Sequence, residues 1–157
     1  FKMIRKIFKM SKNQSKALLD SANQSLRDGD LEEAIHLALE SYELYGGPGG
    51  PYILGHSFLL LENKDKAIEW YKLASKDIEH DDNSMNEARN IACFNLAEIY
   101  KNILLSRING EEDKYNIGVH ETLDLYKRSM KSNNEQLKNA ASKSYTIVDT
   151  AHPFKWD

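Results

Sequence analysis

The sequence predicts an all-α fold, and three observations carry that prediction. Helix breakers are scarce, because 157 residues hold 3 Pro and 8 Gly, and half of the glycines fall within residues 46–50. Apolar residues recur at helical spacing, as in Leu54, Phe58 and Leu61, or Ala67, Tyr71 and Ala74. No useful stretch alternates apolar and polar residues with the period of two that a half-buried strand requires.

Length and composition bound the rest. A chain of 157 residues with 41% hydrophobic side chains is one domain able to bury a core. No run approaches the roughly eighteen apolar residues of a membrane span. Cys93 is the single cysteine, which excludes an internal disulfide and a thiolate metal cluster. A reducing compartment, and so a cytoplasmic location, is the expectation. The net charge of -3 conceals an asymmetry. Lys2, Arg5, Lys6, Lys9, Lys12 and Lys16 precede the first acid, leaving 15 basic against 24 acidic side chains in the remainder.

Residues 1–14, FKMIRKIFKMSKNQ, place Ile4, Ile7 and Phe8 on one side of a helix and the bases mostly on the other. Such a basic amphipathic arm suits an anionic membrane surface. It equally suits an added helix packed on the rest of the chain, or an upstream segment, since Met3 and Met10 are both plausible starts. Its apolar core is too short and interrupted for a secretory signal.

A helix is then expected from about Lys16 to Arg27. Asp28-Gly29-Asp30 reads as a turn, Gly29 suiting a positive φ and Asp30 a cap. The next helix, LEEAIHLALESYELY, buries a stripe of Leu31, Ala34, Ile35, Ala38, Tyr42 and Tyr45. GGPGGP at 46–51 has no following Lys-Ser/Thr and no preceding strand, so it reads as a connector rather than a phosphate loop. Pro51 fits the first turn of the next helix. That helix breaks at Glu62-Asn63-Lys64, and Asp65 is placed to cap its successor.

The polar stretch SKDIEHDDNSMNEA comes next. His80, Asp81 and Asp82 are adjacent in a loop and cannot all converge on one ion. ARNIACFNLAEIYKNILL is a strong helix, and SRINGEEDKYNIG interrupts the pattern with an Asn109-Gly110 turn. VHETLDLYKRSMKS resumes it. Asn133 can cap a last helix in which Leu137, Ala140, Ala141, Tyr145 and Val148 face inward. Phe154 and Trp156 in the tail either fold back on that helix or stay exposed.

An internal repeat underlies this order. Ala22 lies 33 positions before Gly55, and Ala34 lies 33 before Ala67. Leu54-Gly55, Phe58, Ala67, Tyr71 and Ala74 together resemble the tetratricopeptide repeat, a helix-turn-helix unit of about 34 residues. Ala22 stands where that family often has Gly. Leu96, Ala97 and Tyr100, then Thr122, Tyr126 and Ser129, match more loosely after a longer spacing. The resemblance covers about residues 15–131, and the acidic insertion and Ala-rich end are similar to Sel1-like repeats. It implies a short α-solenoid over residues 15–157, with about three antiparallel helix pairs and a C-terminal capping helix.

No catalytic constellation is present in the sequence. His36, His56, His80, His120 and His152 form no HExxH and no pairing with a nucleophile motif. Neither enzymatic activity nor a metal or cofactor is expected. The resemblance instead implies a concave groove lined by the first helix of each pair. Its positions are Leu19, Asn23, Leu26 and Arg27, then Tyr52, His56 and Leu59, then Phe94, Asn95, Glu98 and Lys101. Leu19, Tyr52 and Phe94 are equally suited to packing against a neighbouring helix. The family's clamp for a C-terminal carboxylate is matched by Asn23 and Asn95 alone; Leu19, Ile91 and Glu98 do not suit it.

The expected function is a non-enzymatic adaptor, chaperone or regulator that binds a peptide segment of a partner. The alternative is a peripheral membrane or assembly factor docking through residues 1–10. Self-pairing through the open ends of a short solenoid is a further expectation. Nucleic acid is not expected as a partner, because the body is acidic.

Overall fold

The computed structural model describes residues 1–110 and 114–155, with side chains through Ala151. All regular structure among them is helical, in the order α1 (Lys2–Arg27), α2 (Leu31–Tyr45), α3 (Gly49–Leu60), α4 (Lys64–Ala74), α5 (Asn83–Ile108), α6 (Val119–Ser129) and α7 (Glu135–Lys155). The tail's Phe154 side chain and Trp156 lie outside what is described. So do residues 111–113 of the insertion. The chain divides into two compact units, Phe1–Ala88 and Arg89–Asp157.

In the first unit, α1 packs on α2, α3 on α4 and α2 on α3, and α1 also reaches α3. The turns between them are three residues long or nearly so, which forces successive helices antiparallel. α1 does not begin near Lys16. It runs unbroken from Lys2, because residues 11–15 are polar but contain no Gly or Pro to end a helix. At the first turn Gly29 has φ +80°, and the Asp30 carboxylate accepts from the Glu33 amide at 3.1 Å. At the α3–α4 turn, Asn63 takes the capping position expected of Asp65: its Oδ1 accepts from the Lys66 amide at 3.2 Å. Asp65 sits inside the first turn of α4, where a carboxylate still favours the helix dipole.

Small residues set the spacing of these helices. Ala22, Ala34, Ala38 and Ala67 are fully buried, as is Tyr71. Gly50 is part of α3 rather than of a loose connector. A Cβ there would meet the Ala38 carbonyl oxygen at 2.8 Å, so the glycine allows α3 to lie against the α2 backbone. Around Ala22, Ala34, Ala38, Ile53 and Leu54 pack Leu19, Leu26, Tyr52, Phe58 and Trp70, among others. Tyr42 meets Trp70 edge-on at 5.9 Å. Fully burying a Leu or Ile side chain, as at Ile53 and Leu54, contributes about 1.5–3 kcal/mol, and the partly buried ones contribute less. One polar contact ties α1 to α2. Ser15 and Ser41 are both buried, with hydroxyls 2.7 Å apart. Each hydroxyl also lies within hydrogen-bond reach of the other residue's carbonyl oxygen, at 3.1 and 2.9 Å, so one can donate to its partner hydroxyl while that one donates to backbone.

In the second unit, α6 packs on α7. Leu96, Ala97, Leu104, Leu125, Tyr126, Ala141 and Val148 are buried there. Thr122, Tyr126 and Ser129, expected as a small-aromatic-small triplet, are all fully buried. The last helix is capped by Asn134, whose Oδ1 accepts from the Leu137 amide at 3.1 Å, one residue beyond the expected Asn133.

Candidate functional site

The expected groove residues fall in both units, and each set has its own surroundings. In the first unit, α1 carries Leu19, Asn23, Leu26 and Arg27, and α3 carries Tyr52, His56 and Leu59. The two helices touch where Leu19 fills the space beside Gly49: a Cβ on that glycine would lie 2.6 Å from Leu19 Cδ1. Leu19, Leu26 and Tyr52 therefore serve partly as packing, against the core of this unit. Arg27 is exposed and donates to Gln24 at 3.0 Å, and Gln24 donates to Asp28 at 2.9 Å. Leu59 is exposed near the end of α3.

Asn23, Tyr52 and His56 are different in kind. All three are half-buried. Among the described residues, no hydrogen bond engages their side-chain amide, hydroxyl or imidazole. The Tyr52 and His56 rings lie 6.4 Å apart at 39°, one helical turn from each other along α3. Burial pushes the Tyr52 hydroxyl above its ordinary pKa and pulls His56 below its own. Both effects favour neutral groups near pH 7. α3 then offers a phenol and a neutral imidazole, and α1, which packs against it, carries the Asn23 amide. These are hydrogen-bonding groups suited to peptide backbone.

The second unit treats its set otherwise. Phe94 packs edge-on against Tyr126, with centroids 6.2 Å apart. Glu98 accepts from the Tyr126 hydroxyl at 2.8 Å and from Lys101 at 3.2 Å, and Lys101 also donates to Ser144 at 3.2 Å. Burial, and then the Glu98 carboxylate, raise the Tyr126 pKa, so the phenol stays protonated and keeps donating. These groups join α5 to α6 and α7. Asn95 is half-buried on the same helix and already holds an interaction within the protein.

The polar loop before α5 is a capping device. Asp82 accepts from the Ser84 amide at 2.9 Å and the Ser84 hydroxyl at 2.6 Å. The His80 amide donates to Asn86 Oδ1 at 2.8 Å, and Asn86 donates back to the His80 carbonyl oxygen at 2.8 Å. Among the described residues, no group of three or more His, Cys, Asp or Glu is placed to hold a metal ion. None of the helices described is long and apolar enough to cross a membrane.

Sequence reasoning did not anticipate the Ser15–Ser41 clasp or the Glu98–Tyr126–Lys101 network. It also did not anticipate a seam between α1 and α2. One part of the seam, about 650 Å³, is lined by Gln14, Ala17, Leu18, Ser21, Glu40, Glu43 and Leu44. Another, about 300 Å³, is lined by Ile4, Ile7, Phe8, Ser11, Leu44 and Tyr45. The alternation of apolar and small residues along α1 was the available signal. No protein-family model, curated protein or solved structure matches this chain.

Proposed function

We propose that this chain is a non-enzymatic binding module built of tetratricopeptide-like helix pairs, and that it takes a segment of a partner protein on the α1–α3 face of its first unit. The observation that carries the reading is the set of three half-buried side chains, Asn23, Tyr52 and His56, whose polar groups have no hydrogen-bond partner among the described residues. Fully buried polar groups are normally bonded within the protein, whereas half-buried ones such as these can bond to solvent or to a ligand. Those without a protein partner on neighbouring helices are open to a ligand's backbone groups. The repeat reading draws support from burial at matching positions. Ala22 and Gly55, and Ala34 and Ala67, are buried at an offset of 33 residues.

A peptide library displayed on phage tests this. Selection on the wild-type chain should yield sequences whose binding falls at least tenfold with Asn23→Ala/His56→Ala. The melting temperature should be nearly unchanged, since neither side chain carries a hydrogen bond of the fold. Selected peptides that bind the double variant as tightly as wild type would move the site off this face.

A further inference from the structure

We propose that the α1–α2 seam is an isologous interface on which a second copy of this chain docks its own α1 in the reverse direction. The first observation is an uncovered apolar stripe. Met3, Ile4, Ile7, Phe8 and Met10 are each at least 52% exposed, although they belong to a helix whose later turns are packed. Together they expose on the order of 600 Å² per copy, close to the roughly 800 Å² that each partner of a stable complex buries. It also stands at the upper end of the roughly 300–600 Å² that the largest apolar patch of a monomer typically spans, and such patches are often functional.

The second observation is register. Of the eight α1 residues that line the seam, six, Ile4, Ile7, Ser11, Gln14, Leu18 and Ser21, follow alternating spacings of three and four, with Phe8 and Ala17 beside them. That spacing is the seam of a two-helix coiled coil. It reads the same in both directions. Two copies of α1 laid antiparallel about its centre bring Ile4 opposite Ser21, Ile7 opposite Leu18 and Ser11 opposite Gln14. At the ends bulky meets small, at Ile7–Leu18 aliphatic meets aliphatic, and at the centre polar meets polar.

The third observation is charge. α2 carries Glu32, Glu33, Glu40 and Glu43 and no base, and the last two rim the seam. The Ser15–Ser41 clasp sets α2 against α1 so that Glu40 and Glu43 stand level with residues 16 and 13. In the reversed pairing those carboxylates border the groove, whereas Lys9 and Lys12 lie on the outer side of the second copy's α1. The same carboxylates oppose an anionic bilayer, which cannot reach the concave seam without bringing its headgroups to Glu40 and Glu43.

Sedimentation of the full chain tests the proposal. A dimer is expected at micromolar concentration, weakened at least tenfold by Ile7→Asp and by Ile4→Asp. The helical content of each variant should match wild type, because these side chains are exposed. Orientation is read by mixing Ile4→Cys with Ser21→Cys protein under oxidation. Cross-linked hetero-pairs should outnumber either homo-pair several-fold, and the buried Cys93 should take no part. A chain monomeric at every concentration overturns the proposal, as does a dimer indifferent to Ile7→Asp. An Ile4→Cys protein that links mainly to itself overturns the antiparallel pairing. A monomer that sediments with phosphatidylserine vesicles through Ile7 assigns the arm to lipid instead.

Discussion

Gly55 and Gly49 make a paired experiment on how close packing decides stability. A Cβ on Gly55 would lie 2.6 Å from Tyr71 Cδ1 and 2.8 Å from Cε1 and Cγ. A Cβ on Gly49 would also meet an atom at 2.6 Å, the Cδ1 of Leu19. The distances agree, but the neighbours do not. Tyr71 is fully buried, and its rigid ring has nowhere to move in a close-packed interior. Leu19 is half-buried, and its terminal methyl can swing aside. Overpacking of the first kind costs about 1–3 kcal/mol. Replacing a helical Gly by Ala returns roughly 0.5–1 kcal/mol of backbone entropy. Gly55→Ala should therefore destabilise by about 1–2 kcal/mol, and Gly55→Leu by more, while Gly49→Ala should stay within about 0.5 kcal/mol of wild type. Urea titrations followed by far-UV circular dichroism give the midpoints directly. A Gly55→Ala protein as stable as wild type would refute the close approach of α3 to the Tyr71 ring.

Two other outcomes rest on named contacts. Ser15→Ala and Ser41→Ala should each cost about 1 kcal/mol, and the double variant less than their total, because each hydroxyl is the other's partner; strictly additive costs in a double-mutant cycle would mean the clasp contributes nothing as a pair. Hydrogen bonds from the Ser84 hydroxyl and amide hold the Asp82 carboxyl below its ordinary pKa. A carboxyl whose folded pKa is depressed stabilises above its unfolded pKa of about 3.9 and loses that contribution as pH falls through the folded value. Asp82→Ala should then lower stability at pH 7 within the roughly 0.5–2 kcal/mol typical of lost caps, with the difference from wild type shrinking below about pH 4; a gap independent of pH would refute the charged cap.

How much of this was legible in the sequence differs between fold and site. The helices and their buried faces were legible because spacing alone determines which side chains share a face. Ala22, Ala34, Ala67, Tyr71, Thr122 and Tyr126 are all fully buried, at the positions the periodicity marks. Caps were legible only to within two residues. Asn63 and Asp65 are both capping types, as are the neighbours Asn133 and Asn134, and the choice depends on which backbone amide each oxygen reaches. The start of α1 was misplaced because a polar stretch resembles a boundary, whereas only a breaker makes one. Polar pairing was not legible at all. Tyr126 reaches Glu98 across 28 residues and Lys101 reaches Ser144 across 43, so these bonds depend on distances between helices.

Those bonds also separate two sets of side chains that looked alike in the sequence. Glu98 and Lys101 were read as groove positions on the same footing as Asn23 and His56. In their unit they neutralise each other and hold the faces of α6 and α7 through Tyr126 and Ser144. A ligand that recruited Glu98 would have to break a bond to a buried phenol held protonated by its surroundings. Losing a hydrogen bond to a charged group costs about 1.5–3 kcal/mol, which a peptide contact at a half-exposed carboxylate does not offset. Asn23, Tyr52 and His56 have no such bond to lose. Folding has already desolvated them in part, and a peptide amide bonding to them gains without displacing a protein partner. On the function proposed above, the capacity for recognition concentrates in the first unit. The second commits the equivalent positions to its own cohesion, so Glu98→Gln should lower the melting temperature while leaving peptide capture by the first unit intact; the reverse pattern would return these residues to the binding face.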